Sequence, residues 1–322
     1  MRIVLASLAS TDLVGASLLA LAAPAAAQST ETTTTTAQQQ QPSTGQRILQ
    51  GVLDRVLGPR QETPAPVTAT ATSATLADVL AAERRADDRA RDQYRNPAET
   101  LQFFQVQPGM TVVDYMPAGG WYTRVLVPYL GQSGRYIGLT PDPAAADGER
   151  FADYFRGLPA NFTEEAPAWN LAGAPYAVIG SQDLNDAMDG TVDRVLVFRE
   201  MHNLLRSGAM FTELTRIRDL LKPDGMLGIV QHRARADAPG DYTLGSNGYL
   251  RQQDVINLVE AHGFQLVGSS EINANPNDTA DYDGGVWTRA PSYRGADEGT
   301  EEYARRQAMG ESDRMTLLFR KR

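Results

Sequence analysis

The sequence predicts a three-layer α/β domain, a mostly parallel sheet with helices on both faces. Three observations predict it. Between Val112 and Val267, short runs rich in β-branched residues alternate with segments of helical periodicity, the order of a doubly wound sheet. The stretch Met110–Tyr122 reads strand, glycine turn, helix. Thr111, Val112 and Val113 suit a buried strand, Pro117-Ala118-Gly119-Gly120 a tight turn, and Trp121–Leu130 resumes apolar residues at helical spacing. Late in the chain, Met315–Phe319 alternates as a further strand, expected to close the sheet edge.

Taken in order, the first residues read as an export signal. Arg2 gives a thin positive end, Leu13–Ala23 an apolar core, and Ala25-Ala26-Ala27 a small-residue cleavage site, so residues 1–27 are expected to be removed and the protein to be periplasmic or secreted. No later segment is apolar for long enough to span a bilayer, so no stable membrane insertion is expected after cleavage. Residues 28–74 form a low-complexity linker, ETTTTTAQQQQ and PAPVTATATSAT, with too little apolar surface to offset chain ordering. Within it, Ile48, Leu49, Val52, Leu53, Val56 and Leu57 recur at helical spacing before Gly58-Pro59. The folded part begins at Thr75, where Thr75 and Asp78 make a capping box for one helix running through LADVLAAERRADDRARDQYR, its charged face read as solvated. Asn96-Pro97 breaks it and restarts a second helix through Val106.

After the first strand, which Asp114 is expected to end, come strands at Arg135–Leu139, Tyr176–Ile179, Asp193–Phe198, Met226–Val230 and Phe264–Val267. Helices are expected at Asp147–Arg156, Phe211–Leu221 and Arg251–His262, with Gly157–Pro175 mostly loop. A net charge of −9 without a basic stripe argues against nucleic acid as a partner. The absence of cysteine excludes disulfides, thiolate chemistry and Cys-based metal sites, and three histidines leave little for a dedicated metal centre.

Together the turn after strand one, the LKPDG turn and the late strand resemble a class I S-adenosylmethionine-dependent methyltransferase. More narrowly, RDQYRNPAETLQFF, GGWYTRVLVPYL, FREMHNLL, GFQLVGSSEINANPNDT and ESDRMTLLF resemble a family of exported predicted bacterial methyltransferases, from about Ala81 onward. The resemblance implies a Rossmann-like seven-stranded sheet with the last strand antiparallel, and S-adenosylmethionine as cofactor. It places Asp114, Pro117, Ala118, Gly119 and Gly120 on the first cofactor motif, where small residues let backbone amides approach the methionine end of the donor. Met116 and Ala118 stand where glycines are usual in the broad class; an alanine is tolerated there if its φ is negative. Thr140 occupies the expected ribose position, with Asp142 two residues on as either a ribose ligand or a simple turn aspartate, and Asp183 matches the adenine-contacting position or caps a loop.

Methyl transfer needs positioning and, for a protonated acceptor, a base. His202 and His232 fall just past strands four and five, at the end that borders the cleft, and either is placed to deprotonate an acceptor. The structural alternatives have His202 capping a turn through Asn203 and His232 bonded to a loop. Arg199 and Glu200 are either ligands for an acidic substrate group or ordinary loop charges. By the family resemblance, Tyr94 and Arg95 form a lid over the cofactor; the alternative is that Tyr94 packs and Arg95 is solvated. The insertion Asn273–Asp313 with Asp278, Tyr282 and Trp287 either shapes the acceptor pocket or is a surface excursion. The leading expectation is methyl transfer to a small-molecule acceptor; an exported non-catalytic binding protein of the same fold is the alternative. A nicotinamide oxidoreductase comes third, because Gly119-Gly120 lacks the third glycine at the required spacing.

Overall fold

A computed structural model describes residues 74–322. The export signal, the linker up to residue 73 and the short helix expected at 47–57 lie outside the described residues. The seven strands are β1 (Thr111–Tyr115), β2 (Arg135–Thr140), β3 (Tyr176–Gly180), β4 (Val192–Phe198), β5 (Leu221–His232), β6 (Phe264–Ser270) and β7 (Arg314–Lys321). They form one sheet in the order β3-β2-β1-β4-β5-β7-β6. All neighbours from β3 across to β5 run parallel, and β7 runs antiparallel to both β5 and β6. The doubly wound, seven-stranded expectation holds.

Each strand feeds two cores because its side chains alternate. On one face Val113 and Tyr115 join Val195, Val197 and Ile229. They pack beneath α6 (Glu149–Glu165), α7 (Met201–Arg206), α8 (Met210–Leu220) and α9 (Gln252–Ala261). On the other, Val112, Tyr136, Leu196 and Leu318 pack against α1 (Leu76–Ala81), α4 (Pro97–Phe103) and α5 (Thr123–Leu130). Among the described residues no helix is long and apolar enough to cross a membrane.

Four local expectations are corrected. First, the N-terminal helix is not continuous: α1 stops at Ala82, whose ψ of 139° leaves the helical region, and short turns at Ala86–Arg89 (α2) and Asp92–Arg95 (α3) follow. Its charges are not a solvated face. Arg85, Asp88 and Arg95 are buried, while Glu83, Asp87 and Arg89 remain exposed. Second, the helix expected to stop at Arg156 continues to Glu165 as α6, through Gly157 and Pro159. Ala152, Phe155, Leu158 and Phe162 bury one stripe of it, and that burial outweighs the proline's lost hydrogen bond. Third, β7 does not close the edge; it is inserted between β5 and β6, buried on both faces along Arg314–Phe319, and β6 is the edge strand. Fourth, β1 runs one residue past Asp114, and Asp114 is buried within it. The LKPDG segment is taken into β5 as an irregularity between Leu221 and Met226, both of which pair with β4.

Candidate functional site

The strand order reverses direction between β1 and β4, and in such sheets ligands bind where the strands' carboxyl ends diverge. At that place β1 ends in a turn of unusual backbone. Met116 N–H donates to Leu139 O at 2.8 Å, so the ladder continues one residue past the strand, and Gly120 N–H closes on Pro117 O at 3.0 Å. Met116, Ala118 and Gly120 have φ of 53°, 47° and 70°. The negative φ expected of Ala118 is therefore not what it adopts. The chain keeps the left-handed backbone without the glycines, a conformation that costs non-glycine residues on the order of 1–2 kcal/mol each. Met116 lies in the core, away from the turn's outer face, while Ala118 and Gly119 are exposed.

A cavity of about 360 Å³ opens beside this turn. Pro117, Ala118, Gly119 and Trp121 form one wall. Arg199 and Glu200, just after β4, and His232, the last residue of β5, form the floor. Asp88, Arg91 and Arg95 contribute from the N-terminal segment. Val286, Trp287 and the loop through Ser292, with Glu311 and Ser312, close it from the insertion. The insertion thus borders the cavity rather than making a surface excursion, and Arg95 takes its place in the wall.

The walls are tied together by arginines. Arg124 donates from Nε and Nη2 to both oxygens of Asp88 (2.6 and 2.7 Å) and from Nη1 to Gly119 O at 2.8 Å, so the N-terminal segment is clasped to the turn. Arg85, wholly buried, pairs with Asp92 at 2.8 Å. The guanidinium carbons of Arg85 and Arg95 lie 5.1 and 4.6 Å from the centre of the Trp121 ring. Glu311 accepts from Arg91 (2.6 Å), Arg95 (3.2 Å) and Arg314. Burial alone would raise its pKa, but Arg314, Arg95 and Arg91 outweigh that and hold the carboxyl well below its ordinary range.

Trp169 supports the turn from outside the cavity, a neighbour that the sequence did not point to. A Cβ on Gly120 would lie 2.4 Å from its ring, so the indole is seated on that glycine, with Arg124 5.4 Å from its centre. Phe162 holds Trp169 edge-on at 5.2 Å, which is why the extension of α6 matters to the site. The glycine's close approach was the signal; its partner lay in a segment expected to be loop.

The two histidines behave differently. His232 lines the cavity, with Nδ1 2.6 Å from Ser312 Oγ. His202 sits behind it, buried in α7, with Nδ1 3.4 Å from Gln231 Nε2 and ring centres 5.6 Å apart; it neither lines the cavity nor caps a turn. Burial pushes His202 down to about 4, against the Gln231 contact. Burial, then His202 and nearby arginines, pushes His232 well below its ordinary value. Both are neutral at pH 7. Glu200 moves the other way: burial raises it to about 7, opposed by the Asn203 Nδ2 hydrogen bond to Oε2 at 2.7 Å. That places its proton exchange at neutral pH, which sequence position alone did not reveal.

The remaining predicted positions spread around the sheet's rim. Asp114 is inside the sheet, accepting from Tyr136 Oη at 2.9 Å, and burial raises it to about 7. Thr140 is buried and its hydroxyl donates to Ile179 O at 3.3 Å. Asp142 accepts from Ala144 N–H at 2.7 Å, the turn-aspartate arrangement, while its own N–H donates to Glu213 Oε1 at 3.0 Å. Asp183 is exposed just after β3 and accepts from Gln182 Nε2 at 3.0 Å. Glu213 was not anticipated. Buried in α8, it also accepts from Ser181 Oγ (2.7 Å) and Tyr115 Oη (2.9 Å), joining the ends of β1, β2 and β3. Among the described residues no group of three His, Asp or Glu is gathered to hold a metal ion.

No family model matches the chain. No curated protein matches it either. Among solved structures, the chain is similar to a SAM-dependent methyltransferase from Aquifex aeolicus, with 18% identity, 62% of this chain and 93% of that one covered, and a TM-score of 0.44. It is similar to the 1,6-didemethyltoxoflavin-N1-methyltransferase of Burkholderia thailandensis, solved with S-adenosylhomocysteine, with 17% identity, 80% and 93% covered, and a TM-score of 0.41. It is also similar to the cyclase SpnF, with 14% identity, 71% and 80% covered, and a TM-score of 0.44. Such likeness concerns the course of the chain and not its chemistry.

Proposed function

We propose that the protein transfers a methyl group from S-adenosylmethionine to a small-molecule acceptor held in the cavity between β1 and β4. The observation that carries this reading is the turn Met116–Gly120 at the strand-order reversal. Ala118 and Gly119 are exposed there, and their amides donate to no group among the described hydrogen bonds. Free amides at such a bend fit the carboxylate of an amino-acid-bearing donor. Pro117, Ala118 and Gly119 would hold that end, and Asp142 and Asp183 stand on the side of the sheet where a nucleoside would extend. Thr140, its hydroxyl committed to Ile179, shapes the strand end instead.

When bound, the donor would supply an electrophilic methyl group on a sulfonium sulfur. The chain's own residues then have two tasks. Trp121 and Trp287 wall the cavity, and Glu200 takes the proton that an acceptor O–H or N–H must lose as its lone pair attacks. With its proton exchange near pH 7, Glu200 is the better base than either histidine, whose conjugate acids are too strong to hold the proton there.

Calorimetric titration of the full chain with S-adenosylmethionine and S-adenosylhomocysteine tests the reading. Binding of both, followed by transfer of label to one of a panel of hydroxyl, amine, thiol and carboxylate compounds, is expected. Absence of binding overturns the reading, and binding without transfer to any member favours a non-catalytic binding protein.

A further inference from the structure

We propose that the acceptor carries an anionic group, a carboxylate or a phosphate, and that Arg199 and Arg95 bind it beside Glu200. The inference rests on the methyl-transfer reading for the word acceptor; the anion site itself stands on the following geometry.

The chain as a whole is acidic, with net charge −9, yet this cavity is not. Four guanidinium groups, those of Arg91, Arg95, Arg199 and Arg314, gather around Glu311, and Glu200 and Asp114 are the other carboxyls that interact with Arg199. Four cations against three carboxyls leave the site positive even with all three ionised. On the side of the turn, Arg85 and Arg124 are matched one to one by Asp92 and Asp88. On the side of the insertion, Arg206 and Arg294 stand over the Trp287 ring at 5.5 and 5.3 Å and add to the positive balance.

Two of the four also have unused hydrogen-bonding capacity. Arg95 is 2% exposed and spends Nε on Glu311, but its Nη1 has no partner. A buried guanidinium N–H left unsatisfied is costly, and proteins rarely keep one without a use. Arg199 lines the cavity with φ of 65°, and its guanidinium meets no acceptor among the described hydrogen bonds and ion pairs. Trp121 Nε1, in the same wall, is buried and unpartnered as well.

His232 adds a donor. Ser312 Oγ accepts from Arg314 Nε at 3.3 Å, so the arrangement that satisfies every group has the Ser312 hydroxyl donating to His232 Nδ1. The imidazole proton is then on Nε2. Convergent N–H groups with surplus positive charge recognise an oxyanion. The source is the acceptor rather than the donor's own carboxylate because of where the cations stand. Arg199 follows β4, and Arg314 opens β7 opposite His232 in register. Both lie in the half of the sheet away from β2 and β3, across the cavity from the free amides of the β1 turn, and Arg95 stands between, over the Trp121 ring and on the Glu311 it shares with Arg314.

The test uses malonate and inorganic phosphate as probes, titrated calorimetrically into the full chain at low ionic strength with and without saturating S-adenosylhomocysteine. At least one anion is expected to bind, and to bind no more weakly when the nucleoside is present. Arg199→Met is expected to weaken it by roughly tenfold to a hundredfold, the loss of a charge-assisted hydrogen bond, and Arg199→Lys to recover part of that. Thermal unfolding of each variant, and anion-induced protection of the unmutated chain, separate lost binding from lost folding. Three results would overturn the proposal: neither anion binds, S-adenosylhomocysteine displaces the anion, or folded Arg199→Met binds as the unmutated chain does. Anion binding without nucleoside binding instead retires the methyl-transfer reading and leaves the anion site in place.

Discussion

Gly119 and Gly120 are adjacent in sequence but stand in opposite situations. Gly120 needs its lack of a side chain: its φ is 70° and a Cβ would strike the Trp169 ring at 2.4 Å. Gly119 has no positive φ, and a Cβ there would meet nothing nearer than Glu165 Oε2 at 4.0 Å. Gly120→Ala is therefore expected to destabilise the fold by about 1–3 kcal/mol in denaturant titration. A substitution at Gly120 cannot serve as a clean probe of donor binding, although the sequence alone suggests it. Gly119→Leu is the clean probe, expected to weaken S-adenosylhomocysteine binding at least ~10-fold while shifting the unfolding free energy by no more than about 0.5 kcal/mol. Unchanged affinity in that variant would mean the donor does not lie against this turn. The turn was legible from Pro117-Ala118-Gly119-Gly120 because glycine pairs punctuate strand and helix by local sterics. Trp169 was not, because its contact depends on a tertiary approach that no local pattern encodes.

At the scale of elements, the segment from α1 to α3 shows where periodicity misleads. LADVLAAERRADDRARDQYR has helix-forming residues throughout, yet its backbone breaks at Ala82. Asp88 and Arg95 are spent on Arg124 and Glu311 in distant elements, and Arg85 turns in on Asp92. Charge runs carry no mark of whether their partners are water or protein, so this inward turn was not readable. The same holds for Glu311, whose role exists only because Arg91, Arg95 and Arg314 arrive from two directions. Glu311→Gln is expected to destabilise the protein by about 3–5 kcal/mol, since it leaves three buried or half-buried guanidiniums without their shared counter-charge. Chemical denaturation measures this directly, and a loss below about 1 kcal/mol would show that the cluster is solvated. By contrast, strands β1 to β4 were read to within two residues, because strands buried on both faces show as continuous apolar runs.

For the whole molecule, the buried carboxyls set the response to pH. Asp114 and Glu200 are both raised to about 7, in each case chiefly by burial. A group with a raised folded pKa contributes stability that is complete below its unfolded value and lost as pH rises through the folded one. Going from pH 8 to 6.5, the folded chain takes up these protons and the unfolded chain does not, so the thermal midpoint is expected to rise. Below 6.5 the gain is opposed, because His202, held at about 4, refuses protons that the unfolded chain accepts. Asp114→Asn should flatten the rise between pH 8 and 6.5; an unaltered slope in that variant would mean Asp114 is ionised in the folded state. None of this could be read from composition, since a −9 chain says nothing about which carboxylates are dry.

The placement of β7 carries a further consequence. β5 and β6 do not touch each other in the sheet; each meets only β7 on that side. Among the described residues β6 has no sheet partner other than β7, so until β7 is made β5 keeps one open edge and β6 has no place in the ladder. Closure of this side of the sheet is thus deferred to the final segment, which serves as its keystone.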